Sequence, residues 1–586
     1  MWISLRIIGP AVLLLAIAAP VRAEIRPDYE MDHDPEISVP PAVKVFSERL
    51  KGMWLEALAR PEADMQRMAA DAISRAHAEG FVDMGDAVPR LAAILTDPAS
   101  HLAARRAAAR ALVMLDAKEK APQLAKCAQK YGSDFRQIVE PALAAWTFTP
   151  YYETWQARLA QTHVRRRDLV LAIRCLATAR DVSSAPGLVA IVLDRLQPPD
   201  VRLEAARASG LLQNSGLEAN ARQLLAARPQ TTQINRQCAV HLLAFHDGDE
   251  AQKLLLDLAV DREPAVAVVA LQRLNKIAPQ RVLPLAADAM QSADPKVRQC
   301  GADACSLRPD PARVIAMSRL LDDPHPDVRR SVCAALYELA RQPPLDTAVR
   351  QAATEMLAGN RWRGLEQASL LLGALDHKPA AERLIELLEF DRPEVGIAAA
   401  WALKKLSIEQ TLPQMLDKAL RNTVLRKARQ TTAGLDELTA HLLEAFGRMK
   451  FAPAKPLLLE HVPKDALVIY GVPSRAAAVW SLGFFHVGSV DESLARTLMQ
   501  RIADDGGPGS PPELDPVKRS AAATIARMKA ISQAASLRKY YESKEQSNRV
   551  TVSLHWAMQD LTGEQIPILP APKLEKKDWF LESLAE

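Results

Sequence analysis

Residues 309–341 read PDPARVIAMSRLLDDPHPDVRRSVCAALYELAR, and this stretch decides the fold. It contains two short amphipathic segments joined by the sequence Asp-Asp-Pro. Apolar residues occur in the second segment at offsets of 0, 4, 7, 8 and 11, namely Val328, Val332, Ala335, Leu336 and Leu339. These offsets lie on one face of a helix with about 3.6 residues per turn. The stretch therefore predicts a helical hairpin whose second helix has one apolar face.

The same apolar pattern recurs along almost the whole chain. Aligning each second helix on Val328 gives one equivalent residue per copy, here called the anchor. The anchors are Met65, Ala104, Phe135, Arg165, Val201, Ile234, Val266, Val297, Val328, Gly364, Val395, Leu435, Ser474 and Val517. They lie 30 to 43 residues apart, a period typical of helical solenoids. One hairpin buries too few large side chains to offset the entropy lost on ordering its backbone, so each copy needs its neighbours.

The residues around the anchor carry a family resemblance. The tripeptide Asp-Val-Arg at residues 327–329, followed by Ala-Leu at residues 335–336, resembles the HEAT repeat, and residues 200–202 repeat the tripeptide. The likeness is greatest to the HEAT-like repeats of bacterial proteins and phycobilisome lyases, and it covers about residues 45–530. It implies an all-α fold, a right-handed α-solenoid (an ARM-like superhelix) of about 14 hairpins. It also implies that the second helices line a concave surface and that Asp and Arg form a ladder between repeats.

The first 23 residues have the features of a secretory signal peptide. An apolar run over residues 7–19 follows a positive charge, and small residues at positions 21 and 23 suit a signal peptidase. The run is shorter than the roughly 20 residues that span a bilayer. The resemblance is therefore to exported bacterial HEAT-repeat proteins. We expect a periplasmic or extracellular protein with no transmembrane segment once residues 1–23 are removed.

Two further segments flank the repeats. Residues 24–44 form an acidic, proline-bearing arm. Its alternating carboxylates resemble a calcium-binding loop, but Val39 stands where the closing Glu of such a loop would be, so we expect a solvated arm. The repeats occupy residues 45–543. Residues 544–586 are too apolar for a free end, so we expect a C-terminal tail that caps the last repeat.

Charge and cysteine content exclude several classes of protein. The net charge of +4 on 586 residues gives no general attraction to nucleic acid, so no nucleic-acid partner is expected. Six cysteines lack the spacing of zinc or haem motifs. They are expected to be buried thiols, and Cys300 and Cys333 are the one pair worth testing for a disulfide.

No catalytic, cofactor or metal motif is present. The sequence lacks HExxH, GxSxG, a phosphate-binding glycine loop and a dinucleotide fingerprint. His241 and His246 are five residues apart, which places them on different sides of a helix. We therefore predict no catalytic residue, cofactor or metal, and no enzymatic activity.

An aromatic cluster is one candidate partner-binding site. Trp146, Tyr151, Tyr152 and Trp155 fall close together, and Tyr151 and Trp155 are spaced i, i+4 on one helix face. If exposed, they would form an aromatic platform for a peptide or a sugar. The alternative is that they pack between repeats.

Two basic patches are the other candidates. One contains Arg166 and Arg167, and the other contains Arg426, Lys427 and Arg429. Either patch could hold an acidic partner, an anionic glycan or a lipid head group. The alternative is a solvated helix face or the ladder between repeats.

These features lead to one functional interpretation and two alternatives. The first is an exported, non-enzymatic scaffold or assembly factor of the cell envelope that binds an unidentified protein along its concave face. The second is a protein that binds an envelope polysaccharide through the aromatic cluster. The third, which rests on the resemblance to phycobilisome lyases alone, is a lyase-like or enzyme-accessory protein.

Overall fold

A computed structural model gives the structure of the chain. The residues that it describes are 24–81, 84–161, 163–226, 232–430, 432–576 and 578–582. The predicted signal peptide lies outside these residues. The described residues contain thirty α-helices and two strands of three residues each. The predicted fold class, an all-α solenoid of stacked hairpins, is confirmed.

The chain divides into two compact units, and each includes a segment from the opposite end of the chain. Within the described residues, unit 1 consists of 44–289 and 574–582, and unit 2 consists of 24–43 and 290–573. Strand β1 (Val43–Val45) pairs with strand β2 (Lys573–Glu575) in a two-stranded sheet.

The helices of unit 1 alternate between first and second helices of successive hairpins. In the described part of this unit they are α1 (Glu48–Ala59), α2 (Ala63–Ala78), α3 (Ala87–Thr96), α4 (Leu102–Met114), α5 (Ala121–Lys130), α6 (Ser133–Ala145), α7 (Tyr152–Ala160), α8 (Arg166–Thr178), α9 (Ala185–Leu193), α10 (Pro199–Leu212), α11 (Glu218–Leu225), α12 (Gln233–Leu242), α13 (Asp249–Ala259), α14 (Pro264–Ile277) and α15 (Pro279–Ala289). The even-numbered helices are the second helices, and each packs on the next, from α2 to α14.

Unit 2 continues the same alternation. Its described helices are α16 (Pro295–Leu307), α17 (Pro311–Ser318), α18 (Pro326–Ala340), α19 (Pro343–Leu357), α20 (Trp362–Ala374), α21 (Ala381–Leu387), α22 (Pro393–Leu406), α23 (Leu412–Lys427), α24 (Leu435–Arg448), α25 (Lys455–Glu460), α26 (Val472–Phe485), α27 (Glu492–Ile502), α28 (Asp515–Met528), α29 (Ala534–Glu542) and α30 (Arg549–Thr562). The even-numbered helices again form one layer, from α16 to α30.

The anchors locate the second helices closely. All but three of them are the third residue of an even-numbered helix, and the exceptions are Arg165, Ile234 and Leu435. Arg165 precedes α8, whose third residue is the buried Asp168. A pattern of apolar residues cannot identify an anchor that is a carboxylate, so the sequence prediction places this copy three residues too early.

The repeats extend one hairpin further than predicted. Helices α29 and α30 form a further pair, and α30 packs on α28 as the other second helices do. The predicted tail boundary at residue 544 is therefore too early. The chain after α30 then returns over this last hairpin, where the Ser547 hydroxyl donates to the Leu569 carbonyl (2.6 Å) and the Tyr541 hydroxyl to the Pro567 carbonyl (2.8 Å).

The end of the tail packs elsewhere than predicted. Trp579 is buried in unit 1, with its ring centroid 5.5 Å from that of Trp54. The Trp54 indole Nε1 donates to the Phe580 carbonyl at 2.6 Å. These residues cover the first hairpin of unit 1, whereas the sequence predicted that the tail covers the last repeat.

A ladder of ion pairs joins consecutive repeats, as the family resemblance implies. In many second helices the fourth residue is an arginine. The residue with which this arginine forms an ion pair belongs to the next repeat. In unit 1 the Arg136 guanidinium lies 2.8 Å from Asp168, and in unit 2 Arg475 lies 2.6 Å from Glu513. The side chains of Arg475 and Glu513 are buried, so this repeat depends on a carboxylate that its neighbour supplies.

Small residues allow the second helices to approach closely. A Cβ atom added at Gly447 of α24 would lie 2.4 Å from the Cβ of Ser481 in α26. At Gly210 of α10 it would lie 2.1 Å from the His241 carbonyl oxygen of α12. Any larger residue at these positions would push the helices apart.

The cysteines behave as small apolar residues, as predicted. All six are buried, and the Cys333 thiol donates to the Gln367 carbonyl at 3.7 Å. Burial raises the pKa of both Cys300 and Cys333 to about 12, which makes either thiol a poor nucleophile at neutral pH.

Candidate polypeptide-binding face

The aromatic cluster proposed as a platform lies inside unit 1. Tyr151 and Trp155 are 1% and 0% exposed, so the exposure that a platform requires is absent. Both donate to the buried carboxylate of Glu140, at 3.0 and 3.1 Å, and Arg158 donates to the same carboxylate at 2.6 and 2.7 Å. The hypothesis of an aromatic platform is therefore wrong for these two residues, which pack between repeats around one ion pair.

The other two aromatic residues are only partly accessible. Trp146 is half-buried, and its indole nitrogen donates to Asp116 at 2.6 Å. Tyr152 is also half-buried, and its hydroxyl donates to the Ala179 carbonyl at 3.4 Å. The contacts of these residues are therefore within unit 1.

The first basic patch takes part in bridges between neighbouring repeats. Arg166 lies 2.6 Å from Asp200, and Arg167 lies 2.9 Å from Asp134. All four side chains are substantially exposed, so these pairs contribute little to stability. The acids reduce the positive charge that the sequence pattern suggested.

The second basic patch lies in unit 2 and is also paired. Arg426 lies 3.0 Å from Asp436, and Lys427 lies 2.7 Å from Glu460. Arg429 is exposed at the end of α23, with a left-handed backbone at φ 59°. The structure thus brings the members of each patch together but places acids against them.

The N-terminal arm identifies a different face, which the sequence analysis missed. Residues 28–35 lie against the second helices α22, α24, α26 and α28 of unit 2, and Glu30–Asp32 form a short 3-10 turn in which Met31 is buried. The expectation of a solvated arm is therefore wrong. The arm-binding face is defined by the side chains of Trp401, Lys404, Lys405, His441, Glu444, Arg448, Trp480, Arg519 and Arg527.

The first contact is made by Asp28. Its carboxylate accepts a hydrogen bond from the Trp401 indole nitrogen at 2.7 Å, and its backbone carbonyl accepts one from Lys404 Nζ at 2.8 Å. Lys405 Nζ lies 3.6 Å from the same carboxylate. Burial alone would raise the pKa of Asp28, but the Trp401 hydrogen bond and the two lysines hold it below its ordinary value.

The middle of the arm covers a buried ion pair. Lys404 Nζ lies 2.6 Å from Glu444 Oε2, and both side chains are 0% exposed. The Met31 backbone N–H donates to the other oxygen of Glu444 at 2.9 Å, and the Tyr29 ring stacks on the His441 ring at a centroid distance of 4.7 Å. The arm therefore supplies part of the hydrogen bonding that a buried carboxylate requires.

Burial and charge act in opposite directions within this pair. Burial would raise the pKa of Glu444, but the neighbouring His441 ring and the charge of Lys404 hold it below its ordinary value. Burial lowers the pKa of His441, and Lys404 lowers it further. At neutral pH the face thus presents an ionised carboxylate beside a neutral imidazole.

The last contacts are made by residues 32–35. The Trp480 indole nitrogen donates to both the carbonyl and the carboxylate of Asp34, each at 3.1 Å, and Arg527 pairs with the same carboxylate. Arg519 donates to the Asp32 carbonyl at 2.5 Å and to the Pro35 carbonyl at 3.1 Å. Together with the contacts of Asp28, two tryptophans and four basic residues (Lys404, Lys405, Arg519 and Arg527) thus hold two aspartates and the backbone between them.

A sequence signal for this face exists. Trp401 and Trp480 each lie six residues after their anchors, Val395 and Ser474, so the two side chains occupy the same position of their helices. The alternating carboxylates of the arm are the complementary signal. The pairing itself joins residues more than 370 positions apart, which no local pattern can reveal.

The residues that the structure describes contain no group of three or more His, Cys, Asp or Glu side chains arranged to hold a metal ion. None of the helices in this part of the chain combines the length and the apolar character that crossing a bilayer requires.

Comparison with known proteins agrees with the fold. Residues 252–337 match the family described as HEAT repeats. The structure is similar to importin beta (TM-score 0.52, 15% identity, 88% of this chain and 72% of that chain) and to yeast importin-beta, Kap95p (0.50, 14%, 88% and 73%). It is also similar to a Kap95p structure (0.54, 13%, 88% and 72%). The description of that structure states that Kap95p binding induces the switch loops of RanGDP to adopt the GTP-bound conformation. A comparison with curated protein sequences gave no match. At these identities the likeness establishes a HEAT-repeat solenoid fold.

Proposed function

We propose that this protein is an exported, non-enzymatic scaffold or assembly factor that binds a protein partner through the second-helix face of unit 2. The observation that carries the proposal is the bound arm. A polypeptide segment with one short 3-10 turn already lies on this face and is held through its backbone carbonyls, its carboxylates and the buried residues Met31 and Pro35. A face that binds one segment in this way has the chemistry to bind another.

The comparisons support a protein partner. Kap95p, which has a similar fold, binds RanGDP according to the description of its structure. The shared fold does not specify the partner of this chain, because function resides in particular side chains rather than in the fold.

Export is part of the proposal and rests on residues 1–23. Fractionation of cells that express the full chain, followed by N-terminal sequencing of the recovered protein, tests it. We expect the protein outside the cytoplasm with a mature chain that begins near Glu24. Recovery of the intact N-terminus from the cytoplasm would overturn this part of the proposal.

Neither alternative gains support from the structure. Polysaccharide binding depended on the aromatic cluster, and Tyr151 and Trp155 are buried. Catalysis would need convergent groups with strongly shifted pKa values in an accessible site. Lys404, His441 and Glu444 do converge, but they bind one another and the arm.

Photo-crosslinking tests the proposed face. A benzoylphenylalanine replaces Phe484, which lies beside Arg527 on this face, and the matched control replaces the exposed Ile531. In cells that express the variants, we expect one protein partner to crosslink at position 484 and not at position 531. The same pattern at both positions, or no protein crosslink at 484, would contradict the proposal.

A further inference from the structure

We infer that the N-terminal arm is a displaceable occupant of the arm-binding face, and that the partner presents an acidic, extended segment that replaces it. This inference rests on the proposed function and names its partner class and its regulation. In its closed form the chain occludes its own binding face. Binding of the partner requires the arm to leave.

The contacts of the arm favour release over permanent packing. The 3-10 turn Glu30–Asp32 is its single regular element within residues 24–42. Met31 and Pro35 are its buried residues, and most of its other contacts are hydrogen bonds and ion pairs at partly exposed carboxylates. Such contacts weaken with salt and with competing anions, whereas a large apolar core would not.

The side chains beneath the arm are those of an interaction site. Trp401 and Trp480 are 4% and 0% exposed with the arm in place, and both indole nitrogens donate to the arm. When the arm leaves, these donors lose their partners, and the Lys404–Glu444 pair loses its cover. Tryptophan and arginine dominate the binding energy of protein interfaces, so this composition is suited to a partner.

The arm also defines the pattern that the partner would carry. Asp28, Tyr29, Met31 and Asp34 occupy positions 1, 2, 4 and 7 of one seven-residue segment. The carboxylates at positions 1 and 7 reach the two tryptophans and their neighbouring cations. The aromatic residue stacks on His441, and the apolar residue is buried. The expected partner segment is therefore acidic at both ends, with an aromatic and an apolar residue between them.

A tethered arm competes effectively with a separate peptide. Because the arm belongs to the same chain, its effective concentration at the face is on the order of millimolar. The apparent affinity for a partner is reduced by the fraction of molecules whose face is open. Weakening the arm should therefore increase the affinity for a competing segment without changing the face.

The test uses the full chain and a labelled peptide with the sequence of residues 24–36. Binding is measured by fluorescence anisotropy to the unchanged protein, to the D28N/D34N variant and to the E36Q variant. Glu36 is exposed on the same arm, so E36Q removes one charge without touching the face. We expect D28N/D34N to bind the peptide at least tenfold more tightly than the unchanged protein, and E36Q to bind it as the unchanged protein does.

Further variants, a folding check and a scrambled peptide serve as controls. Adding K405Q or R527Q to D28N/D34N should abolish the gain, whereas adding R538Q, on the exposed side of α29, should preserve it. Circular dichroism of each variant confirms that it is folded. Equal binding to all variants, no binding to D28N/D34N, or equal binding of a scrambled peptide with the same charge would overturn the inference.

This experiment separates the inference from the proposed function. If the peptide does not bind D28N/D34N but a protein still crosslinks at position 484, the scaffold function stands and the displaceable arm is wrong. If the peptide binds as expected but no protein crosslinks, the arm is displaceable and the scaffold function is wrong.

Discussion

The Trp480 indole nitrogen lies 3.1 Å from both the carbonyl oxygen and a carboxylate oxygen of Asp34, although 446 positions separate the two residues in the sequence. The hydrogen bonds hold the arm on the second helices of unit 2. Asp34 also pairs with Arg527, so one aspartate joins two neighbouring helices.

Replacing Asp34 with Asn should loosen the arm. Hydrogen bonds to charged groups contribute about 1.5–3 kcal/mol, so we expect docking to weaken by roughly tenfold or more. The backbone N–H of Met31, which donates to Glu444, reports docking by hydrogen exchange. Exchange at Met31 should accelerate in D34N and stay unchanged in E36Q. Equal protection in D34N and the unchanged protein would show that Asp34 does not hold the arm.

Breaking the buried ion pair should destabilise the chain. Lys404→Met leaves Glu444 uncompensated in a buried site, and such losses cost about 3–5 kcal/mol. Lys427→Met, which removes one partner of an exposed pair, should cost less than about 1 kcal/mol. Thermal unfolding followed by circular dichroism compares the two. Equal melting temperatures for the two variants would contradict the burial of the Lys404–Glu444 pair.

Two glycine substitutions should change stability in opposite directions. Gly447→Ala forces α24 away from Ser481, and we expect a loss of about 1–3 kcal/mol. Gly52→Ala in α1 meets no atom within 4 Å, and alanine favours a helix by about 0.5–1 kcal/mol. The free energies of unfolding in urea check both signs. A stabilising Gly447→Ala would show that the second helices are further apart than described.

Docking of the arm should weaken as the pH falls. His441 faces Tyr29 and Asp28 of the arm, Lys404 of α22 and Glu444 of its own helix. The Tyr29 ring stacks on His441, so the docked arm adds to the burial that lowers the pKa of His441, and the opposing charge of Asp28 is a smaller effect. Protonation of His441 therefore opposes docking, and the stabilisation is complete above the ordinary pKa of 6.5 and declines below it.

The lowered pKa of Asp28 acts in the same direction at more acidic pH, because protonating that carboxylate also opposes docking. Exchange at Met31, corrected for intrinsic rates, should therefore accelerate between about pH 7 and pH 5. His441→Gln should remove the upper part of this dependence. A docking equilibrium that strengthens on acidification would contradict the sign.

The sequence predicted the hairpins well because their signals are local. Proline and aspartate precede the apolar face at Val328, and the same signals recur at Val201, Val297 and Val395. The prediction failed at Arg165, where the anchor position holds Asp168 in an ion pair with Arg136. An ion pair across repeats leaves no apolar pattern to detect.

The candidate sites were predicted less well because burial and pairing are tertiary properties. Tyr151 directly precedes α7 and Trp155 lies within it, and the carboxylate of Glu140 binds both from the preceding helix α6. The arm-binding face depends on Asp28 reaching Trp401, which are 373 positions apart. The sequence shows the acidic arm and the tryptophans as separate features, and only the folded chain places them in contact.

Photo-crosslinking from the arm tests the central claim most directly. With benzoylphenylalanine in place of Tyr29 in the full, dilute chain, irradiation and mass spectrometry should give crosslinks to α24 around His441 within the same molecule. Crosslinks that avoid α22, α24, α26 and α28, or that join two copies of the chain only, would contradict the account of an arm bound to its own second-helix face.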